Sequence, residues 1–246
     1  MKLSLFFATA ISGFFVGATT ALGFSDQADA LTFSGISSGT WGEPTPGSTN
    51  INPIYTGLGS NAFTWGDPNV CLPNSDTTSG CTITGSNKLT FNGNSFSTDI
   101  NSVFKIGDLT YFNGTVLKDT SVESVPLNLN VSLSPLVGIS QDFDFNLRLV
   151  NTPNGAINPE DNADFVFIDT NLSNRSFIFE GNEYTLELTG FNPDIGQIDI
   201  KALEGATTKT AIYAKIKNIP EPATLAGLSL LGIYLISRKK FLEKKN

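Results

Sequence analysis

The chain has no histidine, one methionine (the first residue), two cysteines, two tryptophans and only 15 lysines and arginines in 246 residues. Without histidine, neither a histidine-based catalytic triad nor a histidine-containing zinc site can be built. No stretch between the two ends carries a convincing helical period, so no glycine loop opens onto a helix to cradle a phosphate. Positive charge is scarce away from the ends. Residues 31–218 hold 9 Lys and Arg against 19 Asp and Glu, a net charge of −10. That balance argues against nucleic acid and against anionic lipid surfaces as partners. Carboxylate chemistry, which needs only Asp and Glu, is what remains open.

What is present begins at the ends. Met1-Lys2 gives a short positive start, Leu3 to Phe24 is uncharged and mostly apolar or small, and Ala28-Asp29-Ala30 is a small-x-small site. This is the pattern of a secretory signal helix cut by signal peptidase, here after Ala30. Near the other end, Ala223–Ile236 is a second uncharged run, followed by Arg238, Lys239, Lys240, Lys244 and Lys245. A helix of that length covers about 21 Å, short of the roughly 30 Å hydrocarbon core. The run has no polar face. It therefore reads as a transmembrane helix barely long enough to span, with its basic flank held in the cytoplasm. The expected organisation is a signal peptide at 1–30, an ectodomain at 31–218 and a tail at 219–246 containing the apolar segment 223–236.

The ectodomain reads as all-β. Leu127, Leu129, Val131 and Leu133 alternate with Asn128, Asn130, Ser132 and Ser134, and Phe143, Phe145, Leu147 and Leu149 alternate with Asp142, Asp144, Asn146 and Arg148. Both runs have the period of a strand with one buried face. Shorter runs follow at 31–33, 62–65, 88–91, 103–106, 109–112, 165–168, 176–179, 184–188, 195–202 and 211–216. Asn113-Gly114, Asn154-Gly155 and Gly181-Asn182 supply turn residues that tolerate positive φ. Many short strands with frequent turns predict a β-sandwich of jelly-roll type. Thirteen of the 19 phenylalanines fall in the ectodomain, where large rings suit the gap between two sheets. Residues 42–59 and 67–85 read as long loops.

Four groups of residues bear on chemistry. Cys71 and Cys81, exported together, most simply form one disulfide closing an eleven-residue ring. Asp142 and Asp144, two apart on a strand, project about 7 Å apart on one face. Inverting glycosidases use a comparable separation, roughly 6.5–9.5 Å, but a solvated strand face shows it too. Asn158, Glu160, Asp161, Asn162 and Asp164 make an oxygen-rich loop. Such a loop reads first as a plain acidic turn; calcium also takes such ligands, with Asp161 and Asp164 the hard carboxylates, although the segment does not fit the helix-flanked calcium loop. No other cofactor is expected. Trp41 and Trp65 would stack on sugars if exposed, or fill the core if buried.

Ile219-Pro220-Glu221-Pro222-Ala223-Thr224, then the apolar run, then Arg238-Lys239-Lys240, resembles the PEP-CTERM sorting signal, with Ile219 in place of the usual valine. The resemblance implies a bacterium that makes extracellular polysaccharide, and recognition of Pro220, Glu221 and Pro222 by an exosortase, a membrane sorting enzyme. The ectodomain is similar to the choice-of-anchor K domain of cyanobacterial and related surface proteins. The similarity is carried by Phe63-Thr64-Trp65-Gly66, 107–115, Asn151-Thr152-Pro153-Asn154, Ala163-Asp164-Phe165-Val166 and 184–188. That likeness implies a place outside the cell and no particular activity. The expectation is a non-enzymatic protein, surface-bound or in the extracellular matrix, with a structural or adhesive role. Its alternatives are a carbohydrate-binding module of the exopolysaccharide matrix and a carboxylate-dependent glycoside hydrolase.

Overall fold

A computed structural model describes residues 31–68, 85–134, 140–169, 176–192 and 194–219. All regular structure there is β apart from one 3-10 turn at Pro159–Asn162. The first sheet orders β12 (Asp199–Ala202), β9 (Asp164–Ile168), β8 (Ser140–Val150), β7 (Ser124–Ser134), β1 (Thr32–Trp41) and β5 (Ser95–Asp99). The second orders β10 (Ser176–Phe179), β11 (Asn182–Gly190), β13 (Thr207–Ile219), β6 (Val103–Phe112), β4 (Asn87–Gly93), β3 (Ala62–Trp65) and β2 (Tyr55–Thr56). Every named strand pair is antiparallel. The two curled sheets lie face to face as a β-sandwich.

The alternation read in β7 and β8 is what buries their faces. Leu127, Leu129, Val131, Phe143, Phe145 and Leu147 are all inside, and the intervening residues point outward. Aromatic rings join the sheets: Phe33 of β1 meets Phe177, Phe179 and Tyr184 edge-on at 5.5–5.8 Å. Such edge-to-face pairs are the favoured geometry for rings.

Several elements differ from expectation. The run expected at 31–33 continues to Trp41, and β5 went unread. Between Phe33 and Trp41 the inward positions of β1 are Gly35, Ser37 and Gly39, which give no apolar signal. The two glycines are small because neighbours occupy the space: a Cβ on Gly39 would sit 2.6 Å from Phe91, and one on Gly35 would sit 2.3 Å from the Ser132 carbonyl oxygen and 2.7 Å from Phe96. The runs at 103–106 and 109–112 are one strand, β6. Gly107 breaks the pattern because its missing Cβ leaves room for Phe91, which would otherwise lie 2.3 Å away. Opposite this point the register of β13 shifts between Ile212 and Tyr213, a bulge that accommodates the irregularity. The β10–β11 turn is made by Glu180-Gly181, both at positive φ (50° and 81°), one residue earlier than expected. Asn113 is not a surface turn residue: it is fully buried, and its amide donates to the Ala202 carbonyl at 3.0 Å.

Candidate functional site

Both tryptophans are inside. Trp41 is 0% and Trp65 2% exposed, so of the two readings core filling is the one observed, and neither ring offers the open face that sugar stacking requires. The physical reason is their strand parity: each occupies an inward position, Trp41 at the end of β1 and Trp65 at the end of β3. Trp65 lies between Phe63 and Tyr111, with centroids 5.6 and 6.0 Å away and rings within 19° and 8° of parallel. The Trp41 indole donates to the Asn61 carbonyl at 3.0 Å, satisfying its one polar atom.

The two carboxylates singled out for calcium have different environments. Asp161 is exposed in the 3-10 turn, whereas Asp164, the first residue of β9, is 1% exposed. Asp164 is turned inward, where it accepts from the backbone N–H and the hydroxyl of Thr152. Burial pushes its carboxyl up to about 6, aided by the charge of Glu204 and opposed by the two Thr152 donors and Tyr111. Burial, reinforced by Asp164 and Glu204, also pushes the Tyr111 phenol well above its usual range. Among the described residues no group of three or more His, Cys, Asp or Glu side chains could hold a metal ion. Asp164 anchors the 151–154 loop through Thr152.

The outer face of the first sheet is polar across its centre. Register aligns Thr40, Asn128 and Asp144 in one row and Ser38, Asn130 and Asp142 in the next. Together they line a shallow depression of about 270 Å³. The Asn130 amide donates to Asp142 at 2.6 Å, and the Ser140 hydroxyl donates to Asn130 at 2.5 Å. Asp142 and Asp144 therefore sit on an open hydrogen-bonded face, not at the base of a cleft.

A cleft of about 1220 Å³ opens beside this face. It is walled by the β1–β2 loop, the β6–β7 loop, the end of β8 with 151–154, and β9. Its loops are tied together by backbone bonds, from Thr45 to Ser124 (2.9 Å), Glu123 to Thr45 (2.8 Å), Asn52 to Asp119 (3.1 Å) and Leu149 to Glu123 (2.7 Å). Arg148 and Phe167 are directly paired across β8 and β9, and the guanidinium lies 4.1 Å from the ring centroid. Phe165 stands beside Phe167, its centroid 6.1 Å away. Sequence reading missed this pair. The signal was available in Asp164-Phe165-Val166-Phe167-Ile168, where both parities are apolar although Val166 and Ile168 alone reach the core.

Cys71, Cys81, Pro220, Glu221 and Pro222 lie outside the described residues, as do the expected signal helix and the apolar run 223–236. Among the described residues no helix is long and apolar enough to cross a membrane. Compared with known proteins, the chain matches no family model and no curated protein.

Proposed function

We propose that this chain is an exported surface or extracellular-matrix protein with a structural or adhesive role and no catalytic one. On this reading signal peptidase removes 1–30, the tail holds the remainder at the membrane, and an exosortase-type enzyme acts at Pro220-Glu221-Pro222. The observation that carries the proposal is the order of three parts in the tail: Pro-Glu-Pro at 220–222, an uncharged run at 223–236, and a basic cluster from Arg238. Proline fixes φ and disfavours helix at the residue before it, a property that suits recognition by a processing enzyme. Support also comes from the strand boundaries. β1 begins at Thr32, so the expected cut after Ala30 falls just outside the sandwich. A jelly-roll-like winding belongs to the same proposal, since β4–β5–β6–β7 passes from sheet to sheet at each step. Labelling intact host cells with a membrane-impermeant amine reagent tests the placement. Modified lysines of the ectodomain are expected without lysis; labelling that needs lysis contradicts it.

A second reading, a carbohydrate-binding module, is favoured by one specific observation: the preformed cleft that places Arg148 and Phe167 beside a sheet face rich in Asn, Ser and Thr.

A further inference from the structure

The cleft combines three properties. Its walls are preformed, because backbone bonds knit the β1–β2 and β6–β7 loops to each other and to β8. At about 1220 Å³ it exceeds the roughly 300–1,000 Å³ of pockets that hold one small ligand, leaving room for a segment of a polymer. Its lining mixes an aromatic ring with polar groups of both hydrogen-bonding senses. Arg148 and Lys118 can only donate, Asp119, Glu123 and Asp169 in their charged forms accept, and Asn151 does both.

A sugar presents this same mixture in complement. Its hydroxyls donate and accept, and its C–H faces pack on rings. The charge balance selects among glycans. Two cations face three carboxylates in the cleft, within an ectodomain of net charge −10. A polyanion would meet like charge both locally and at long range, while a neutral chain meets neither penalty.

We propose that this cleft binds a segment of a neutral polysaccharide, with Arg148, laid on the Phe167 ring, as the principal donor to hydroxyls. The inference rests on the carbohydrate-binding reading above and adds the site and the ligand class. Arg148 is held in place by its contact with Phe167, which orients its guanidinium before the ligand arrives. Such preorganisation reduces the ordering cost of binding.

The test uses the full chain purified in detergent and affinity electrophoresis in gels containing hydroxyethyl cellulose, xylan, galactomannan or dextran, with alginate as the polyuronate. Retardation by at least one neutral polymer and none by alginate is expected. Arg148→Ala and Phe167→Ala should each weaken that retardation at least tenfold, while Lys209→Ala on the other sheet should not. Arg148 is an exposed side chain, so its variant keeps the fold, and it decides alone if Phe167→Ala melts early. Unchanged binding by Arg148→Ala overturns the cleft assignment and leaves carbohydrate binding standing. Salt-sensitive retardation by alginate alone overturns the neutral ligand class. No retardation by any polymer overturns the site and the carbohydrate reading together.

Discussion

Thr152 donates both its backbone N–H, at 2.7 Å, and its hydroxyl, at 2.8 Å, to the same oxygen of Asp164. One buried carboxyl thus fixes the loop that forms a wall of the cleft. Its carboxyl titrates at about 6 in the folded chain against 3.8 for a free side chain, because burial outweighs the two donors. The folded state therefore holds this proton more tightly than the unfolded one. Its stabilisation is complete below about pH 4 and is lost as pH rises through about 6. Two pKa units correspond to roughly 3 kcal/mol at about 1.4 kcal/mol each. Asp164→Asn should remove that slope, so the difference in unfolding free energy between variant and parent should change across pH 4–6. A constant difference contradicts the assignment. Urea unfolding at half-unit pH steps measures it.

Phe91 is enclosed by two glycines, Gly39 on the facing sheet and Gly107 on the adjacent strand. Alanine at either should cost about 1–3 kcal/mol, the usual range for overpacking a close-packed core. Phe91→Leu in the Gly107→Ala background should recover part of the loss. Thermal melts of the two alanine variants, Phe91→Leu and the double mutant check it, and additive losses in the double mutant would count against the contact.

The buried tryptophans should be shielded. Native protein is expected to emit at short wavelength with little quenching by iodide, and quenching should rise on unfolding in guanidinium. Trp65→Ala should cost roughly 3–5 kcal/mol, as aromatic truncations in cores do. Strong quenching in the native state would mean that the rings are open to solvent.

Legibility followed strand chemistry. β7 and β8 could be read because their outward residues are Asn, Ser, Asp and Arg, which contrast fully with the core positions. β1 could not, because its inward glycines serve rings distant in sequence. β6 was split in two at Gly107 for the same reason. In the cleft, Arg148 reads as one more solvated residue of an alternating strand. Only the register of β8 against β9 sets it on Phe167. Asp164 was noticed as an acidic residue in a polar loop, but its inward turn depends on the parity of β9, which the all-apolar run after it conceals.

The proposed release of the sandwich outside the cell by processing at both ends is tested most directly by intact mass. Protein recovered from the medium and surface of the host should begin at Leu31 and end near Pro220. In a strain lacking the sorting enzyme it should remain in the membrane fraction with residues 221–246 still attached. The same shortened product exported by both strains, or material still beginning at Met1, would contradict the claim.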